Sequence, residues 1–164
     1  MSHVHPHRPS PLHPELDRPA RIAPSPRILS RPPLCLSVQS AAEINQVIEL
    51  VTTAMAEEGY THKDIFGMNL ALEEALINAI KHGHRGDPSL VVRVHYHVTA
   101  EEVLAVIEDQ GPGFDPESVA DPLAPENRER PSGRGLLLMR HYLTGVRYNE
   151  RGNAVTLRRQ RSAC

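Results

Sequence analysis

Cysteine is scarce in this chain of 164 residues: two occur, Cys35 in a strand-like run and Cys164 at the carboxyl end. Two thiols so placed make no disulfide framework, which fits a reducing cytoplasm. Missing too is any run of eighteen or more apolar residues, so no membrane-spanning helix is expected, and the amino terminus, rich in His, Pro and Arg, lacks the apolar centre of a secretory signal. Nor is there an excess of one charge: 18 Lys and Arg stand against 20 Asp and Glu, a formal net charge of -2. That balance leaves no large electrostatic footprint for nucleic acid. Arg158, Arg159 and Arg161 read as a solvated tail.

The length suits one domain, with enough Val, Leu, Ile and Ala to bury a core. Residues 1 to about 33 differ in composition, carrying Pro at 6, 9, 11, 14, 19, 24, 26, 32 and 33 and almost no periodic apolar residues. They read as a mostly disordered arm. His3, His5, His7 and His13 alternate there without the fixed geometry of a metal site. The folded part is expected to begin at Leu34 with a strand, followed by a helix from about Ser40 to Glu57. Ala41, Ile44, Val47, Ile48, Leu50, Val51 and Met55 supply that helix's apolar face. Near the other end, Gly145 to Asn149 and Asn153 to Arg158 read as a hairpin about Glu150-Arg151-Gly152.

Three polar sets carry the chemistry. The segment Asp64 to Gly83 reads as a second helix. At about 100° per residue, Ile65, Leu72, Leu76 and Ala79 fall on one side, and Glu74, Asn78 and Lys81 form a stripe opposite. A carboxylate and an amide one turn apart suit Mg²⁺, which prefers hard oxygen ligands and keeps waters beside a nucleotide's phosphates. Glu74 is also placed to accept a proton from an attacking hydroxyl. Next comes a strand over Leu90 to Val98, alternating at Val92, Val94, Tyr96 and Val98, and a second over Val103 to Ile107. The second strand ends in Asp109-Gln-Gly111-Pro-Gly113, whose glycines permit a sharp turn close to a ligand and whose Asp109 suits an exocyclic amine such as adenine's. The third set, Ser132-Gly133-Arg134-Gly135 before an apolar helical run, offers free amides and a positive helix end to phosphates.

In this order and spacing, the three sets resemble the ATP-binding boxes of the Bergerat-fold (GHKL) ATPases, which include gyrase, Hsp90, histidine kinases and MutL. The compact form, with Glu-Ala-Leu-Ile-Asn-Ala-Ile-Lys-His-Gly and a short lid, is most similar to the bacterial anti-sigma-factor serine/threonine kinases, over about residues 34 to 160. The resemblance implies a two-layer α/β (α+β) sandwich with a mixed, mostly antiparallel sheet and helices on one face. It implies Glu74 as catalytic base, Asn78 as Mg²⁺ ligand and Asp109 as adenine contact, with Gly111, Gly113, Gly133 and Gly135 shaping the pocket and its lid. Lys81 belongs with the nucleotide-binding set. The expected order is β, α, α, β, β, lid, α, β, β over residues 34–164. The lid, about 115–132, is charged and rich in Pro, loose without nucleotide and tighter with it. Arg130 and Arg134 are candidates to neutralise the γ-phosphate, although Pro131 stands where the kinase family often has Arg.

These residues imply ATP and Mg²⁺ as ligands. The implied partners are an anti-sigma-factor antagonist phosphorylated on serine and a sigma factor, with neither nucleic acid nor membrane as a target. A non-catalytic module whose ATP only sets the shape of a partner-binding surface would carry the same ligands, and the sequence leaves both readings open. A histidine kinase needs an upstream helical hairpin with the phosphorylated His, for which residues 1–33 are too short and Pro-rich, and a gyrase-like or MutL-like activity needs a transducer domain. Homodimerisation, common in the resembling family, would use a face of the first helix or the first strand.

Overall fold

The computed structural model describes residues 34–85, 87, 89–115 and 134–163; the expected arm and nearly all of the expected lid lie outside them. The elements are β1 (Leu34–Val38), α1 (Ala41–Glu57), α2 (His62–Asn78), a π-helical turn (Ala79–Gly83), β2 (Val92–Val98), β3 (Glu102–Glu108), α3 (Arg134–Tyr142), β4 (Gly145–Tyr148) and β5 (Ala154–Gln160). Their order is the one expected from the sequence. The five strands lie as β1-β2-β3-β5-β4. Every described pairing is antiparallel, the limit of the mostly antiparallel sheet expected.

Period-two alternation decides which face is buried. Register sets Val94 opposite both Leu36 and Ile107, and Ala105 opposite both Tyr96 and Leu157, so one face collects the apolar residues of neighbouring strands. That face packs on Ile44, Val47, Val51 and Met55 of α1, Met68, Leu72 and Leu76 of α2, and Met139 and Leu143 beside and within α3's end. The opposite face is the more polar one, with Arg93, His95, Glu102 and Thr156 beside Leu104 and Val106. Truncating a fully buried residue such as Leu76 to Ala would cost about 2–5 kcal/mol. Leu50 departs from expectation: it is 48% exposed, because it lies on the outer side of α1 while Val51 and Met55 turn inward.

Helix ends follow capping chemistry. Glu43 accepts the amide protons of Gln39 at 2.6 Å and Ser40 at 3.3 Å, closing the start of α1. Thr61 Oγ1 accepts from Asp64 N at 3.2 Å at the start of α2.

The three terminal arginines are not a solvated tail. Arg159 Nε donates to Asp64 Oδ1 at 2.7 Å, and its terminal nitrogen makes a second, shorter contact to the same oxygen. Asp64 is fully buried and also accepts from Ser162 N at 3.0 Å and Ser162 Oγ at 2.8 Å. Arg158 pairs with Glu102 at 2.6 Å, and Arg161 donates to the Glu58 carbonyl at 3.2 Å. A cluster of one charge looks solvent-bound in sequence because its partners are supplied by elements 56 to 103 residues away.

Candidate functional site

Glu74 and Asn78 lie one turn apart on α2, both half-buried. Asn78 Nδ2 donates to Glu74 Oε1 at 3.0 Å. This commits the amide nitrogen to the carboxylate and leaves the amide oxygen, a hard donor, to meet a cation. The first turn of α3 closes on the same carboxylate. A Cβ on Gly135 would lie 1.9 Å from Glu74 Oε1 and 2.4 Å from Glu74 Cγ, so any side chain at 135 displaces either Glu74 or the helix.

After Asn78 the helix widens. Sequence periodicity predicts a single α-helix to Gly83, but Ala79–Gly83 form a π-helical turn, closed by His84 N donating to Ala79 O at 3.1 Å. Such turns concentrate at functional sites because the added residue redirects the backbone. Here the widened turn carries Gly83 against the segment leaving β3. A Cβ on Gly83 would stand 2.4 Å from Asp109 Cγ, and one on Gly111 would stand 2.3 Å from the Gly83 carbonyl oxygen. Arg85 follows in the left-handed region at φ 50°, a strained conformation for a residue with a side chain.

Asp109 is held from three directions. Its Oδ1 accepts from Gly111 N at 2.8 Å, its backbone N donates to the Asn153 carbonyl at 2.9 Å, and its own carbonyl accepts from Asn153 Nδ2 at 2.8 Å. The turn of the β4–β5 hairpin therefore clamps the strand end, and Arg151 adds a bond from Nη2 to the Gly111 carbonyl at 3.0 Å. The two backbones touch further along, where Gly113 has φ 80° and a Cβ on it would lie 1.9 Å from the Arg151 carbonyl oxygen. Burial pushes the Asp109 carboxyl above its ordinary range, against the pull of the Gly111 amide and of His84 and Arg151.

These pieces enclose a cavity of about 550 Å³, a size suited to a nucleotide. Glu74, Asn78, Lys81, Asp109, Gly113 and Gly135 all line it. Ile107, Met139, Val155 and Tyr148 give it apolar walls, and the Tyr148 ring meets Phe114 edge to face at 5.0 Å. Burial, with Glu74 adding in the same direction, pushes the Tyr148 hydroxyl up. Among the described residues, no three His, Cys, Asp or Glu side chains converge as a metal cage. One amide oxygen beside a carboxylate fits Mg²⁺, which takes few protein ligands when phosphates complete its shell.

Gly111 sits behind Asp109, packed on Gly83, rather than on the cavity wall. Arg134 begins α3, while Arg130 and Gly133 lie outside the described residues. Sequence reasoning missed Asn153, Arg151, Tyr148, Phe114 and Met139. The signal for Asn153 was faint: an Asn pair flanking Gly152 reads as turn chemistry, whereas Asn149 Nδ2 donates to Asn153 Oδ1 at 2.9 Å and thereby orients the Asn153 amide toward Asp109.

Serine-protein kinase RsbW of Staphylococcus aureus strain JH9 is 25% identical over 131 residues, covering 74% of this chain and 82% of the kinase. The proteins of the same name from strains Newman and USA300 match to the same extent. No helix among the described residues is long and apolar enough to cross a membrane. The family profile described as the histidine kinase-like ATPase domain matches residues 38–159, from the end of β1 to β5, and the chain belongs to that family.

Proposed function

We propose that the chain is a cytoplasmic ATP-dependent protein serine/threonine kinase of the anti-sigma-factor type. It binds Mg-ATP and phosphorylates a serine of a small anti-sigma-factor antagonist, and partner exchange then regulates a sigma factor. The observation that carries this reading is the single cavity in which Asp109 faces an apolar pocket while the Glu74–Asn78 pair stands against the start of α3. The similarity to proteins named as serine-protein kinases supports it.

In this reading Asp109 accepts the exocyclic amine of adenine, and Ile107, Met139 and Val155 exclude water from the base. Gly113 shapes the wall beside it, Gly111 backs Asp109 against Gly83, and Gly133 and Gly135 shape the lid end. Asn78 holds Mg²⁺ through its amide oxygen, with Lys81 at the cavity edge. The bound ion neutralises charge on the phosphates. Glu74 takes the proton of the substrate serine as its oxygen forms a bond to the γ-phosphorus; the bond from that phosphorus to the β,γ-bridging oxygen breaks, and ADP carries away the electron pair. Arg130 and Arg134 balance the charge of the transferring group.

Replacing Glu74 by Gln keeps the shape and the bond to Asn78 but removes the base. ATP affinity is expected within about twofold of wild type, with phosphoryl transfer to a serine-bearing antagonist reduced about 10²–10⁴-fold. Undiminished transfer in Glu74→Gln would refute the assignment, and ATP binding by wild type without any transfer would leave a non-catalytic nucleotide-controlled module.

A further inference from the structure

His84 is a buried group that the mechanism does not use. The residue is 4% exposed, and among the described residues its buried Nε2 has no hydrogen-bond partner. An unpaired buried nitrogen is costly, on the order of 1–3 kcal/mol, and asks for an explanation. The ring follows directly on Gly83, whose Cα packs on the Asp109 carboxyl, and the His84 amide closes the π-helical turn. Among the described residues, the carboxylates that feel this ring are Asp109, from the end of β3, and Asp87, from the following loop. Asp87 Oδ1 is already taken by Ser89, accepting from N at 2.9 Å and Oγ at 2.6 Å. Among the described residues, the Asp109 carboxyl accepts one hydrogen bond, from Gly111 N, and it also senses Arg151 and Glu108. On the ring's own segment, His82 and Arg85 line the cavity.

We propose that His84 is a positioning residue for Asp109, and that protonation of His84 antagonises nucleotide binding. A neutral imidazole leaves the second oxygen of Asp109 to the ligand's amine. Protonation gives both ring nitrogens a hydrogen, and a buried cationic N–H must find an acceptor. Asp109, half-buried and packed against Gly83, is the carboxylate next to this ring's segment, and pairing with it withdraws the carboxylate from the cavity. The inference rests on the nucleotide reading of the site.

The test is the dissociation constant of ADP, measured by calorimetry at saturating Mg²⁺ between pH 7.5 and 5.5. Wild type and His62→Gln, an exposed position outside the cavity lining, are expected to lose at least about threefold more affinity on acidification than His84→Gln, whose side chain cannot charge. Equal pH dependence in wild type and His84→Gln overturns the proposal, as does tightening at acid pH, since pairing with Asp87 alone would spare the site. Should His84→Gln fail to fold, the titration of the His84 ring by NMR in wild type decides the matter. By reciprocity, saturating ADP lowers its midpoint by about half a pH unit, the same threefold. A midpoint unmoved or raised by ADP contradicts the proposal. Binding at pH 7.5 without a His84-linked slope defeats this inference alone, whereas absence of ADP binding at pH 7.5 defeats the nucleotide reading with it.

Discussion

Gly135 shows how much of the site depends on a side chain's absence. The first turn of α3 approaches the Glu74 carboxylate so closely that an added Cβ would fall 1.9 Å from Oε1. Alanine is a better helix former than glycine, so propensity alone favours Gly135→Ala. Contact reverses that preference. Gly135→Ala is expected to swing Glu74 from Asn78 and lower phosphoryl transfer about 10²-fold, the order associated with a 1 Å misplacement. Steady-state kinetics checks this, and unchanged kcat in a folded variant would mean that Glu74 is not held where the chemistry needs it. Glu74, Asn78 and Asp109 were legible in the sequence because helical phase and a Gly-punctuated strand end dictate their positions. Asn153 was not, because its role depends on a partner 44 residues away.

At the scale of elements, the order of the strands and α-helices was legible, since 3.6-residue and two-residue periods are written in the apolar pattern. The π-helical turn after Asn78 was not, because residues Ala79 to His82 read as ordinary helix formers and the widening is settled by the crossing of Gly83 with Asp109 and Gly111. The attachment of α2 to β5 through Asp64 and Arg159 was also hidden. Burial alone would push the Asp64 carboxyl up, but hydrogen bonds from Ser162, Arg159 and Thr61 outweigh it and hold the group at about 2, below the ordinary 3.8. The folded value is the lower one, so the ionised form stabilises the fold above the unfolded value, and that contribution drains away as pH falls from about 4 through about 2. It amounts to about 2 kcal/mol. Urea denaturation across that window is expected to show the loss in wild type and not in Asp64→Ala. At neutral pH Asp64→Ala, which strands a mostly buried guanidinium, is expected to cost about 3–5 kcal/mol.

The whole molecule brings the π turn, the β3 exit, the start of α3 and the β4–β5 hairpin around one cavity, while the more polar face of the sheet stays on the far side. Elements distant in sequence therefore share one ligand, and nucleotide binding is expected to stabilise the domain as a unit. The account stands on that cavity being an ATP site. Its most direct test is calorimetric titration of the wild-type chain with ATP and Mg²⁺, beside Asn78→Ala. Saturable binding of about one ATP per chain, lost in Asn78→Ala, is the predicted result. No heat of binding from folded wild-type protein would contradict it.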